Sequence, residues 1–282
     1  MESTAGAIRQ HYEGRTSRII ARYGPGPRVH YHMTYFDTPP PAADPSERAT
    51  RARLAQAQER LLERAAEFWD IGRYAAGELL DIGCGVGGGS IYWAQRLGGR
   101  VTACTISPEQ IPAVAAFSRQ ARVGHLVTPL LADVCELTED GRYEAAVAVE
   151  SLCHMPVDQA LPRIRAALRT GGGFFVEDGF VVDRTWRMPF NDYFASRVGT
   201  FGDFVTAAGH AGLAVEDTRD ITRHTRDFWL QTLTLLDFEL ERCAEDGPEH
   251  ARLLRSVHWH SRFLRAWYDG SIESRLVRLR AV

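Results

Sequence analysis

The strongest chemical signal in the chain is the stretch Glu78-Leu79-Leu80-Asp81-Ile82-Gly83-Cys84-Gly85-Val86-Gly87-Gly88-Gly89-Ser90. Leu79, Leu80 and Ile82 read as a buried strand, and Ile91-Tyr92-Trp93-Ala94 begins a helix. Between them Gly83, Gly85 and Gly87 allow positive φ, close approach of the backbone to a bound group, and close packing of helix on strand. Asp81 sets a carboxylate just before the turn. No Lys-Ser/Thr pair closes the motif, so it is not a phosphate-binding P-loop. Cys84 has no base near it in sequence, and its small size between two glycines explains it without a catalytic thiol.

A second group, Glu150-Ser151-Leu152-Cys153-His154-Met155-Pro156, follows the apolar run Tyr143 to Val149. A carboxylate at the end of a buried strand is costly unless it has a task; the plainer alternative is a polar loop. A third group, Arg28-Val29-His30-Tyr31-His32-Met33-Thr34-Tyr35-Phe36-Asp37, gathers imidazole, aromatic and guanidinium side chains able to bind an anion or surround a cation. His30 and His32 lack the further ligands a metal needs, so no metal site is assigned. The run reads as a lid over a ligand pocket, the alternative being an extended segment packed on the surface.

The elements that must hold these groups follow from periodicity. Residues 1 to about 24 read as a helical arm through Ile8, Tyr12, Ile19, Ile20 and Tyr23, ended by Gly24-Pro25-Gly26-Pro27; Pro39 to Pro45 is loop. Ser46 caps a helix to Phe68, with Leu54, Ala57, Leu61, Leu62 and Ala65 on one face. After the glycine turn and its helix come strands at 99–106, 126–132, 143–149 and 174–177. Ser107 and Pro108 are expected at N-cap and N1 of the helix after the second strand, and Ala160 to Arg169 forms a helix before Gly171-Gly172-Gly173. Strands alternating with helices at this spacing predict an α/β fold, a doubly wound, Rossmann-like, mostly parallel sheet. Beyond Asp178 the alternation loosens into helices near 201–211, 226–244 and 250–268 and strands near 213–222 and 275–279. Two parts are expected: an N-terminal helical arm and lid over 1–69, and a domain over 70–282 with cap elements at about 184–212 and 226–268.

The composition excludes several functions. A chain of 282 residues with 45% hydrophobic content can bury a large core, and net charge −3 gives no basic field for nucleic acid. No charged N-terminal region precedes an apolar run, and no stretch of 18 apolar residues occurs, so a cytoplasmic protein without a membrane partner is expected. Five cysteines, an odd number without a C-x-x-C pair, give no disulfide framework or zinc site. Self-association is left open.

In an open parallel sheet, ligands bind beyond the carboxyl ends of the strands. Those ends carry Asp81 with Gly83, Gly85 and Gly87, then Thr105, then Asp133, then Glu150 to His154. The set resembles the class I S-adenosylmethionine-dependent methyltransferases over roughly residues 55 to 182: Leu-Asp-Ile-Gly-Cys-Gly-Val-Gly, then Ala132-Asp133, then Leu168-Arg169-Thr170-Gly171-Gly172-Gly173, in order. The resemblance implies that Asp81, Gly83, Cys84, Gly85 and Gly87 hold the methionine part of S-adenosylmethionine and that Ala132 and Asp133 meet its adenine. Many such enzymes carry an acid after the second strand; here Thr105-Ile106-Ser107-Pro108-Glu109-Gln110 is similar to the branch that methylates carbon, including cyclopropane fatty acid synthases and sterol and geranyl diphosphate C-methyltransferases. That similarity gives ribose binding to Thr105 and Gln110. Glu150 and His154 match the Glu-x-x-x-His segment of sterol and tocopherol methyltransferases.

The activity so implied is methylation of an alkene carbon of an isoprenoid through a carbocation, with or without cyclisation. Glu150 would stabilise the cation and take its proton, touching the donor as well, with His154 the other catalytic candidate. Tyr31, Tyr35, Trp186, Tyr193, Phe194 and Trp229 are candidates for an aromatic cage. Phe36 and Phe190 could join them. If the substrate carries a diphosphate, Arg28, His30, His32, Arg223 and His224, with Mg2+, could neutralise it; the other reading is a neutral prenylated natural product. The competing activity is N- or O-methylation of a small secondary metabolite, with Glu150 or His154 deprotonating a heteroatom. A third reading is a cofactor-binding subunit without catalysis.

Overall fold

The computed structural model describes residues 6, 9, 12, 14–38, 46–245 and 247–282. Ile8 and the Pro-rich loop at 39–45 lie outside the described residues.

The described chain opens with α1 (Thr16–Tyr23) and, after an extended segment, α2 (Glu47–Trp69). Ser46 caps α2 as its type predicts, its Oγ accepting from Ala49 N–H at 3.3 Å. The body then alternates: β1 (Glu78–Ile82), α3 (Gly88–Leu97), β2 (Arg100–Thr105), α4 (Gln110–Gln120), β3 (Val127–Leu131), β4 (Tyr143–Val149), α5 (Val157–Ala167) and β5 (Leu168–Val181). Last come α6 (Arg187–Phe194), α7 (Phe201–His210), β6 (Leu213–Asp220), the single turn α8 (Thr222–Thr225), α9 (Asp227–Glu241), α10 (Pro248–Tyr268) and β7 (Ile272–Ala281).

The strands form one seven-stranded sheet in the order β3-β2-β1-β4-β5-β7-β6, with β7 antiparallel to both neighbours and the other adjacent pairs parallel. The order reverses between β1 and β4, so a crevice opens beyond their carboxyl ends. Central strands are mostly apolar because both faces are covered. Leu79, Ala103, Val147 and Phe175 face α2, α3, α9 and α10, meeting Leu62, Trp69, Trp93, Trp229 and Phe263. Their alternate neighbours Leu80, Cys104, Ala146 and Phe174 face α5 and α7, meeting Leu161, Ile164, Phe204 and Ala208. Among the described residues no helix is long and apolar enough to cross a membrane.

Three expectations change. Ser107 is not an N-cap: the helix starts at Gln110 after a turn in which Ser107 C=O accepts from Gln110 N–H at 3.2 Å, while Ser107 N–H is taken by Thr105 Oγ1. The strand expected at 174–177 runs from Leu168 to Val181, because β7 pairs with it from Gly173 onward and the glycine turn becomes an irregularity inside it. Within the expected cap, α7 packs on the second face of the sheet beside β6 and α5, completing the doubly wound layer. The elements over the site are α6, α9 and α10.

Candidate active site

The end of β1 and the turn after it build the floor of a cavity of about 460 Å3. Asp81 is 4% exposed and its Oδ2 accepts from Ser90 Oγ at 2.5 Å; burial nevertheless raises its carboxyl to about 6. Gly83 has φ +70°, and a Cβ there would stand 2.4 Å from Ser151 Cβ, so no other residue fits without moving the end of β4. At Gly85, by contrast, a Cβ would meet no protein atom within 4 Å; together with the Gly83 turn this is a backbone cradle open to a ligand. Thr105 Oγ1 donates to Gln110 Oε1 at 2.5 Å, which ties the end of β2 to the start of α4. Asp133 accepts from Cys135 N–H at 2.9 Å, and Ala132 and Asp133 close the far wall. Burial pushes the Cys84 thiol well above its usual range, so it is no nucleophile.

Glu150 stands where this cavity meets a second one of about 540 Å3, and it lines both. It adopts a left-handed conformation, φ +48°, and its N–H donates to Glu177 C=O at 2.8 Å. Burial and the neighbouring Asp178 push its carboxyl up to about 8, against a backbone hydrogen bond from Met33. Asp178, raised to about 6 by burial, is held by N–H groups of Cys153 (2.9 Å) and Gly179 (2.8 Å). Glu177 is fully buried, with no hydrogen-bond partner for either carboxyl oxygen, and its carboxyl is pushed well above the usual range by burial and then by Glu150. His154 Nε2 lies 2.9 Å from Tyr12 Oη, and burial lowers this imidazole to about 4, so it is neutral at physiological pH.

The segment 28–37 is strapped to α2. Gln58 Nε2 donates to the carbonyls of His30 (3.2 Å) and His32 (2.8 Å), and Tyr35 N–H to Ala57 C=O at 2.9 Å. His32 Nδ1 lies 2.8 Å from Met33 O, which fixes the proton on Nδ1 because a carbonyl only accepts. Burial lowers this imidazole to about 3, the nearby His30 adding to the effect.

The first cavity brings together Asp81, Gly83, Cys84, Gly85, Thr105, Gln110, Ala132, Asp133, Glu150 and His154, and the second gathers Tyr31, His32, Tyr193, Phe194 and Trp229 around Glu150 and His154. Phe190 joins that aromatic wall. Seven residues depart from expectation. Gly87 lines neither cavity; it packs α3 against α4, a Cβ there meeting Val114 at 3.2 Å. His30 faces the first cavity, its Nε2 2.7 Å from Glu59 Oε1, not the second. Arg28 pairs with Glu59 (2.9 Å) and Gln95 (3.1 Å) away from both. Tyr35 stacks on His224 at 4.2 Å between ring centroids, and Trp186 lies under the Arg262 guanidinium beside Phe263, so neither reaches a cavity. Arg223 and His224 bond to one another, and His224 also to Phe36, outside both cavities. Sequence reasoning missed Asp178 and Glu177, although two acids ending the apolar run of β5 are the same signal that marked Glu150. It also missed Tyr12 as a partner of His154 and the arginines of the second cavity, which no local pattern announces.

Residues 79–172 match the family model described as a methyltransferase domain. Over 190 residues the chain is 32% identical to the 27-O-demethylrifamycin SV methyltransferase of Amycolatopsis mediterranei, covering 63% of this chain and 68% of that one. It is 25% identical over 237 residues to the geranyl diphosphate 2-C-methyltransferase of Streptomyces lasalocidi, covering 79% and 78%. The solved geranyl diphosphate C-methyltransferase from Streptomyces coelicolor A3(2), in complex with Mg2+, geranyl diphosphate and S-adenosyl-L-homocysteine, shares the fold. Its TM-score is 0.74 at 18% identity, over 99% of this chain and 98% of that one. The chain therefore belongs to the class I S-adenosylmethionine-dependent methyltransferases. Within them it resembles the terpenoid C-methyltransferases.

S-adenosylmethionine is the cofactor, and the first cavity suits it. Its walls carry the Gly83–Gly85 backbone cradle, the buried Asp81 carboxyl, the polar groups of Thr105 and Gln110, and Asp133; these would hold the methionine part, the ribose and the adenine if the donor binds as the resemblance implies.

Proposed function

We propose that this enzyme methylates an alkene carbon of an isoprenoid through a carbocation. The observation that carries the reading is the position of Glu150, one carboxyl shared between the donor cavity and a cavity walled by Tyr31, Phe190, Tyr193, Phe194 and Trp229. When bound, S-adenosylmethionine supplies an electrophilic methyl group. The aromatic wall would hold the acceptor so that its π pair points at that methyl carbon at near-attack distance. As the new C–C bond forms, the methyl's bond to the donor sulfur would break, its electron pair remaining on the neutral thioether, and the positive charge would pass to the neighbouring carbon of the acceptor. Ring faces attract such a charge without trapping it. The Glu150 carboxylate stabilises the charge and accepts the adjacent proton, which restores an alkene. In this reading residues 1–69 act as arm and lid over a methyltransferase domain formed by 70–282.

The rival is O- or N-methylation, favoured by the rifamycin-modifying relative and by the neutral His154 imidazole, which could receive a proton from a heteroatom. Mass spectrometry and NMR of products from prenyl diphosphates, prenylated aromatics and hydroxylated analogues will separate the two. The expected product gains one carbon bonded to carbon; a methyl ether or amine as the main product would replace this reading by the rival. Glu150→Gln is expected to leave donor affinity near wild type in calorimetry while lowering turnover by about two to four decades. Unchanged turnover would remove Glu150 from the chemistry.

A further inference from the structure

The second cavity is apolar and aromatic at its buried end, but its lining also includes Arg15 just before α1, Arg18 and Arg22 of α1, Arg51 of α2, Arg242 just beyond α9, and Arg252 and Arg255 of α10. This is a local excess of positive charge in a chain whose net charge is −3. Five of the seven, Arg15 among them, are engaged. Arg22 forms a paired contact with Glu239, with its Nε 2.8 Å from Oε1. Arg51 and Arg242 share Glu47, and Arg252 grips Glu249 through two bonds of 2.8 and 2.6 Å. Arg18 and Arg255 are exposed and have no hydrogen-bond or ion-pair partner among the described residues. Glu249, whose carboxyl Arg18 helps to hold below its usual range, is already committed to Arg252.

We infer that Arg18 and Arg255 form an oxyanion subsite at the outer end of this cavity, taking the charged head of an amphiphilic acceptor whose unsaturated chain lies among Phe190, Tyr193, Phe194 and Trp229. The inference rests on reading this cavity as the acceptor site. A guanidinium presents a planar fork of N–H donors to a phosphate or carboxylate and keeps its charge at any physiological pH. An exposed pair also draws an anion toward the opening before contact, an effect weakened by salt. Holding the head at the outer end would fix how deep the chain reaches, and hence which carbon lies beside Glu150.

The test is calorimetric binding of a prenyl diphosphate, the carboxylic acid and the alcohol of the same chain length to the full chain saturated with S-adenosylhomocysteine. Wild type and the double variant Arg18→Gln/Arg255→Gln are compared at low and physiological salt. The diphosphate, the acid or both are expected to bind about 10- to 100-fold more tightly than the alcohol; which of the two gains more identifies the head. That advantage should shrink with salt and fall to a few-fold in the double variant. S-adenosylhomocysteine affinity serves as the folding control for these exposed substitutions. Equal affinity for alcohol and anions, or an advantage that survives in the double variant, would overturn the subsite. Arginine-dependent anion binding without any C-methylated product would keep the subsite and sink the carbon-methylation reading. A C-methylated product from the alcohol, with no advantage for either anion, would do the reverse.

Discussion

Glu150 sits between two cavities with its carboxyl raised to about 8 by burial and by Asp178. In the donor-free protein at pH 7 it therefore carries its proton. A neutral acid can neither stabilise a carbocation by charge nor accept the proton that cation must lose. In the proposed arrangement the positive sulfonium of the donor would lie beside it and favour the ionised form. Binding of S-adenosylmethionine at pH 7 should thus release about one proton per site, measurable by calorimetry in buffers of different ionisation enthalpy. S-adenosylhomocysteine, whose sulfur is uncharged, should release clearly less. Equal release from the two ligands would detach Glu150 ionisation from the sulfonium charge. On this account the donor itself arms the base.

The strap at 28–37 is fitted to the helix that follows the glycine turn. Gly88 opens α3, and a Cβ on it would stand 2.2 Å from Val29 O and 2.9 Å from His30 Nδ1. Gly88→Ala should therefore push the strap away from α3, disturbing His32 and the Met33 hydrogen bond to Glu150. The expected result is a folded protein whose donor affinity drops by about tenfold or more in the same calorimetric assay; wild-type affinity would mean that the strap adapts without consequence. The glycine turn, the parallel order of the first strands and the acid after β4 were legible in the sequence because each is a local pattern with a steric or solvation cause. Gly87 was legible as a necessary glycine, though its purpose is helix packing. Tyr35 and Trp186 were not separable from cage residues by type, since a ring that packs on His224 or under Arg262 looks the same in sequence as one that faces a ligand. Tyr12 meeting His154 across 142 residues has no local signature. Asp178 and Glu177 could have been found by applying to β5 the reasoning used for β4.

Over the whole molecule, the basic residues are all arginine; the sequence contains no lysine among its 33 basic positions. Its positive charges are therefore fixed over the ordinary pH range, and the pH response belongs to acids and histidines. Asp81 (about 6), Glu150 (about 8) and Asp178 (about 6) all have folded-state values raised by burial above those of a free carboxyl. A raised value means that the folded state holds its proton more tightly than the unfolded state does. This contribution to stability is whole below the unfolded values near 4 and is lost as pH rises through 6 to 8. The imidazoles of His32, His154 and His260, lowered by burial to about 3, 4 and 3, act in the opposite sense below their unfolded value near 6.5, so the donor-free protein should show a falling Tm from about pH 7 to pH 8, flattened in Glu150→Gln. A Tm that rises over that window would contradict the buried-acid account.

Tyr12 and Ile19 line both cavities, and Tyr12 reaches His154 beside the reacting groups. The donor and acceptor chambers thus share one wall, built from a stretch that comes before the catalytic fold in the chain. Displacing that wall admits water to both chambers at once. A carbocation survives only while water is kept out, so under the proposed carbon methylation the fraction of turnovers ending in an alkene and not an alcohol would be set at this N-terminal wall as much as at the residues beside the methyl group.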